Sequence, residues 1–236
     1  GYPHYMLKEI YEQPETVRAV MAIDPVEIDK LARRLVETPR AFFVGAGTTY
    51  YAALFGQYQC AELAGIIVQA VSSDEFQHLM CADAETLVVG ISQSGETFDT
   101  LSTLRAAHDA GAHTAAIVNM QGSTMTRLVD QVIMQGSGPE ICVVSTKSAL
   151  AQMLIVTRLA LFAGRATGKL SEARVQELES QLEMLPEVIQ RILNERSGFI
   201  NSIARLHCQV NHWLYLGRGI YYPVAMESAL KMKEVA

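Results

Sequence analysis

An α/β fold, a parallel sheet of five strands flanked by helices on both faces, is predicted by three observations on the sequence. Short apolar runs of strand length recur at 41–45, 66–71, 86–91, 112–119 and 131–135, and segments of helical period separate them. The run at 86–91, Thr-Leu-Val-Val-Gly-Ile, is apolar at successive positions, as a strand buried on both faces requires. The turns after the runs are short and rich in Gly, Ser and Thr, which suits βαβ connections.

In chain order, residues 5–22 carry Met6, Ile10, Val17 and Val20 at roughly helical spacing, interrupted near Pro14, and predict a leading helix. Asp24 as cap and Pro25 at the first helical position open a second helix at 25–37. The strand 41–45 passes through a glycine turn into a long helix ending near residue 64. The strand 66–71 precedes a short helix at 73–80, the strand 86–91 a helix at 98–110, and the strand 112–119 a short helix at 124–130, with 131–135 as the last strand. Helices at 145–164, 172–185, 186–193 and 196–210 then cover the sheet, with Val175, Leu178, Leu182 and Leu185 on one stripe. A strand at 213–216, the turn Gly217-Arg-Gly219 and a helix from about residue 222 onward repeat the strand-turn-helix pattern. The expected division is therefore a linker and leading helix at 1–24, a first domain with its helical cover at 25–195, and the beginning of an incomplete second domain at 196–236.

The chain has 236 residues, of which 50% are hydrophobic, enough for a substantial core in one large or two small domains. A net charge of −6 without any cluster of Lys and Arg argues against a nucleic-acid partner. The four cysteines, Cys60, Cys81, Cys142 and Cys208, are scattered with no CxxC pair, so reduced thiols and a cytoplasmic location are expected. The most apolar stretch, 148–163, contains Gln152 and Arg158 and is too short and polar to span a bilayer, so no membrane association is expected. The histidines show neither HxH nor HExxH spacing and GxSxG is absent, so neither a metal site nor a serine hydrolase is expected. No cofactor is expected. The start at Gly1, with no initiator Met and no targeting pattern, predicts a segment of a longer protein.

Ligands of parallel α/β folds sit at the carboxyl ends of the strands, where the glycine and hydroxyl turns of this chain fall. At Ile91 to Thr97 a strand enters a helix, whose first N–H groups lack partners in the chain and whose dipole favours an anion. Ser92, Ser94 and Thr97 add hydroxyls, Gln93 an amide, and Gly95 close access to the backbone, so this turn is the predicted phosphate site. An ordinary N-cap needs one hydroxyl, and this turn offers three.

Two further turns, Gly45 to Thr49 and Val143 to Lys147, carry hydroxyls at the same kind of junction and are expected to line the same pocket. Gly45-Ala-Gly47 is a fragment of a dinucleotide fingerprint, but Tyr50 stands where the third glycine belongs, and no P-loop occurs. Ser145 suits either a cap or a ligand hydroxyl, whereas Lys147 reads as an exposed first-turn residue. In the last helix Glu227, Lys231 and Glu234 share one face. They form either a solvated ion-pair stripe or a general base, Glu234, tuned by Lys231; spacing alone does not separate the two.

Together, Gly47-Thr-Thr49, Ser92-Gln-Ser-Gly-Glu-Thr97, Val143-Val-Ser-Thr-Lys147, Gly217-Arg-Gly219 and Glu227-Ser-Ala-Leu-Lys-Met-Lys-Glu234 resemble the sugar isomerase (SIS) family. They are most similar to the isomerase half of the glutamine–fructose-6-phosphate aminotransferases, and His4 to Gln13 is similar to the segment joining that half to the glutaminase half. The resemblance implies a SIS-type three-layer sandwich, followed by the start of a second SIS unit. It also implies a homodimer whose ligand is a sugar phosphate, fructose 6-phosphate or glucosamine 6-phosphate. Ser92, Gln93, Ser94 and Thr97 match the phosphate-binding positions, with Thr49 where the family usually has Ser. Val143 and Ser145 match positions that contact the sugar hydroxyls, Glu234 matches the base that moves a proton between C1 and C2, and Lys231 matches the lysine beside it. The glutaminase with its cysteine nucleophile, the ring-opening histidine and the Schiff-base lysine of the family have no match here, so binding without full turnover is expected. A non-catalytic sugar-phosphate-binding module and a simple phosphohexose isomerase are the alternatives of the same fold.

Overall fold

The computed structural model describes residues 1–235. Five strands, β1 (Arg40–Gly45), β2 (Val68–Ser72), β3 (Thr86–Ser92), β4 (His113–Val118) and β5 (Gln131–Met134), form a parallel sheet in the order β2-β1-β3-β4-β5. β3 is central and buried at every position, which explains its continuous apolar run.

Side chains alternate between the two faces of the pleat and so build two cores. Ala41, Phe43, Leu87, Val89, Ile91, Ala115 and Ile117 point to one face. There they meet α2 (Gln13–Met21), α3 (Pro25–Glu37), α4 (Thr48–Gln59) and α8 (Lys147–Ala166). Phe42, Val44, Val88, Ala116 and Val118 point to the other, under α5 (Phe76–Leu79), α6 (Phe98–Asp109) and α7 (Thr124–Leu128). Gly90 belongs to the second set, and a Cβ there would lie 2.7 Å from Leu104 Cδ1, so its absence lets α6 approach β3. The result is the predicted three-layer sandwich.

The leading helix is two helices, α1 (Tyr5–Tyr11) and α2, broken at Glu12, because Pro14 has no N–H to donate back into the first of them. Asp24 caps α3, accepting from Val26 N at 2.9 Å. α8 is a helix long and apolar enough to cross a membrane, but 72% of its apolar window is buried inside the domain, and Lys147, Gln152 and Arg158 are buried with it. Arg158 anchors the cover: its guanidinium holds Glu179 of α9 (Glu172–Glu183) at 2.8 and 3.2 Å and the carbonyl of Val20 in α2 at 2.8 Å.

Several expectations are corrected. The helix expected to end near residue 64 finishes as a π-helical turn, Cys60–Ala64, closed by Gly65 at φ 70°. The helix at 73–80 shortens to Phe76–Leu79. The helices expected at 186–193 and 196–210 are one, α10 (Leu185–His207), since nothing between them breaks the ladder. Residues 213–216 form no strand: Leu214 and Leu216 stand exposed, and no β-segment among the described residues pairs with them. After them α11 (Tyr221–Val235) packs on α4; the expected helix reached Ala236, which lies outside the described residues.

Candidate functional site

The strand order itself creates the site. From β1 the chain moves outward to β2, then crosses to β3 on the other side, so the connections leaving β1 and β3 diverge and open a crevice at their carboxyl ends. Val44 pairs with Gly90 near those ends, which sets the turn into α4 beside the turn into α6.

The β3–α6 turn is built around Ser92, buried at the end of the strand. Its Oγ accepts from Gly95 N at 2.9 Å and lies 3.2 Å from Thr97 Oγ1. Ser94 Oγ accepts from Glu96 N at 3.2 Å, and Gln93 O accepts from Asn119 N at 3.2 Å, while Ser94 and the Gln93 side chain remain half-exposed. Glu96 swings away to cap α7, accepting from Thr124 N at 2.7 Å, and this hydrogen bond holds its carboxyl below the usual range. Thr97 is the N-cap of α6, yet its side chain makes no capping hydrogen bond, so the first-turn N–H groups of α6 are available to an anion. Gly95 has φ 67°, and a Cβ there would lie 2.2 Å from Ser123 Oγ, so only glycine fits the turn.

The other two turns differ in a decisive way, because each is filled by the chain itself. Thr49 Oγ1 accepts from Ala46 N at 2.8 Å and donates to Ala46 O at 2.8 Å, closing its own turn. Its neighbour Thr48 faces α11 instead, donating to Glu227 Oε1 at 3.1 Å and accepting from Lys231 Nζ at 2.8 Å. Ahead of α8, Glu140 serves as an internal anion, accepting from Thr146 N at 2.9 Å and Ser148 N at 3.3 Å. Ser145 Oγ lies 2.6 Å from Ser148 Oγ, which donates to Glu140, and Val143 is 99% exposed. Lys147 is not the exposed residue expected: it is 4% exposed and pairs with Glu12 at 2.7 Å, because the break between α1 and α2 brings that carboxylate over the start of α8.

On α11, Lys231 Nζ lies 3.2 Å from Glu227 Oε1 and 2.8 Å from Glu234 Oε2, so the three residues form one hydrogen-bonded group against the start of α4. Glu227 is the most enclosed of them. Burial pushes its carboxyl above the ordinary range against the opposing pull of Lys231 and Thr48, and its Oε2 is buried with no partner among the described residues. Burial and the neighbouring Glu227 also raise the Tyr51 hydroxyl on α4. An acid, a base and an ammonium in one partly dry group can move a proton, which a solvated stripe could not do as well.

The structure therefore brings Ser92, Ser94 and Thr97 together at one turn and Lys231 and Glu234 together at another element. It keeps Thr49 within its own turn and Val143 in open solvent. Thr48, Glu140 and Glu9, which holds the loop before α8 from α1, make contacts around these turns that sequence reading does not single out. Glu227 is placed beside Lys231 by its helical register, but its burial is not legible there.

Residues 34–162 match the family described as SIS domain. Along its whole length the chain is 40% identical over 235 residues to glutamine–fructose-6-phosphate aminotransferase [isomerizing] of Methanocaldococcus jannaschii, of which it covers 21%. It is 37% identical over 252 residues to the protein of the same name from Thermus thermophilus, of which it covers 40%. The chain thus spans two fifths or less of the length of these relatives. The C-terminal domain of glucosamine-fructose-6-phosphate aminotransferase from Francisella tularensis superposes with a TM-score of 0.91 at 32% identity, over 100% of this chain and 68% of that one. In sequence and in fold alike, the chain belongs to the SIS-domain family, and within it to the isomerase domains of the glutamine–fructose-6-phosphate aminotransferases.

Proposed function

We propose that the β3–α6 turn takes the phosphate of fructose 6-phosphate or glucosamine 6-phosphate and that α11 acts on the other end of the same sugar. The observation that carries this reading is the uncapped start of α6, ringed by Ser92, Ser94 and Thr97, together with the Glu227–Lys231–Glu234 group held on Thr48 at the start of α4, the helix that follows the neighbouring strand β1. A phosphate dianion meets free N–H groups, a helix dipole and short hydroxyls at the turn, with Gln93 and Thr49 at its edge. In this reading Val143 and Ser145, on the loop before α8, contact the sugar hydroxyls when the ligand binds.

In this reading Glu234 is the base that carries a proton between C1 and C2 when a ketose becomes an aldose, after nitrogen has been added at C2. Lys231, 2.8 Å away, holds the Glu234 carboxylate in place for that task, and Glu227 holds Lys231 from the other side. The whole reaction, glutamine-dependent amination and isomerisation in hexosamine formation, is proposed for the assembled protein, a cytoplasmic homodimer with a glutaminase domain. Residues 1–24 act as the link to that domain, 25–195 as the first SIS unit, and 196–236 as the start of the second.

The test is thermal unfolding with and without sugar phosphate. At ten times its dissociation constant a ligand adds about 1.4 kcal/mol, a rise of about 4 °C for a chain of this size. Fructose 6-phosphate or glucosamine 6-phosphate should produce such a rise, and Ser94→Ala should reduce it. No shift at millimolar ligand would overturn the proposal.

A further inference from the structure

Glu9 lies on α1, remote in sequence from every turn of the site, and is 1% exposed. Its Oε1 accepts from Ile141 N at 2.6 Å and from Cys142 N at 3.2 Å, while Oε2 is buried with no partner among the described residues. One turn further, Glu12 Oε2 holds Lys147 Nζ at 2.7 Å. The two carboxylates thus grip both ends of the segment 141–147, and between the grips lie Val143 and Ser145. A carboxylate is a costly group to bury for two N–H partners; an apolar side chain would fill the space at lower cost if packing were the only purpose. What the carboxylate adds is a set position for the backbone at 141 and 142.

We propose that Glu9 is a positioning residue for sugar recognition: it fixes the loop 141–145 in the form that presents Val143 and Ser145 to the hydroxyl end of the ligand. The proposal rests on the sugar-phosphate reading of the site. The phosphate end is held by the β3–α6 turn, whose hydrogen bonds do not involve Glu9. Loss of Glu9 therefore weakens the sugar and leaves phosphate binding in place.

The whole chain and its E9A, E9D and E9Q variants are titrated with fructose 6-phosphate and, separately, with inorganic phosphate, and amide hydrogen exchange is followed at Ile141 and Cys142. E9A and E9D should speed exchange at both amides and weaken fructose 6-phosphate about tenfold, with inorganic phosphate changed by less than about twofold. E9Q keeps an acceptor at the Oε1 position and should restore the sugar affinity. Should E9A fail to fold, E9D supplies the same readouts. Equal loss of both ligands would mean general damage and overturn the proposal. Faster exchange with unchanged sugar affinity would overturn it too, while leaving the sugar-phosphate reading intact. A wild-type chain that binds inorganic phosphate but gains nothing from the sugar would instead overturn that reading, and the role of Glu9 with it.

Discussion

Gly95→Ala tests the turn on which the phosphate reading depends. Gly95 has φ 67°, and an added Cβ would lie 2.2 Å from Ser123 Oγ, 2.7 Å from Ser123 Cβ and 2.8 Å from Val118 Cγ2. The left-handed backbone costs a residue other than glycine about 1–2 kcal/mol. Overpacking against side chains on a sheet end and a helix start adds about 1–3 kcal/mol. A loss of about 3 kcal/mol is therefore expected, which lowers Tm by roughly 9 °C in a domain of this length. Urea unfolding followed by circular dichroism measures it. The second variant in a cycle is Ser123→Gly, which removes both Ser123 atoms and leaves the backbone strain and Val118 in place. The pair should recover about 1 kcal/mol relative to the sum of the single changes. A single-variant loss below about 1 kcal/mol, or no coupling between the two positions, would refute the claim that steric fit at Gly95 holds the turn.

Three other outcomes follow from buried charge. Arg158→Ala leaves Glu179 and the Val20 carbonyl without their donor and should cost about 3–5 kcal/mol by urea unfolding, whereas a surface arginine such as Arg174 should cost less than about 1 kcal/mol. Burial opposes the charge on Glu12, but Lys147 and Lys8 hold its carboxyl below the ordinary range, so the native chain binds this proton later on acidification than the unfolded chain does. Its stabilising contribution is thus full above the ordinary carboxylate pKa of about 4.3 and is lost as pH falls through the native value; thermal melts should show the gap between wild type and Glu12→Gln closing on acidification. Glu227 has the opposite sign: burial raises its pKa, so its contribution is present at low pH and lost as pH rises through the raised value. Sugar-phosphate binding should then show an acidic limb displaced above the usual carboxylate range, and Glu227→Gln should remove it; a limb that persists in the variant belongs to another group.

Most of the fold was legible because its signals are local. The apolar runs of β1, β3 and β4 and the Asp24-Pro25 start of α3 sit where pattern and capping chemistry put them. The errors arise where local pattern needs a distant partner. Residues 213–216 have strand composition but no neighbouring strand among the described residues, and the stop expected within 186–210 has no residue to enforce it. The π-turn at Cys60–Ala64 also left no pattern to read, since Ala61, Glu62, Leu63 and Ala64 are good helix formers. Its Cys60 thiol is pushed up to about 12 by burial, an inert core thiol rather than a reactive one.

For the site, the residues of Ser92 to Thr97 by themselves predict an anion-binding turn, because dipole, free N–H groups and hydroxyl spacing are properties of one continuous strand-to-helix stretch. The helical register likewise determined that Glu227, Lys231 and Glu234 share a face. Only the tertiary structure decided that this face packs on the start of α4, that Thr48 rather than Thr49 meets it, and that Glu227 is the carboxylate driven upward by burial. Only it decided that Lys147 is a buried partner of Glu12, and that Glu9 grips the loop before α8. The physical reason is range: helix dipoles and periodicity act within one segment, whereas desolvation and ion pairing depend on what the rest of the chain places within a few ångströms.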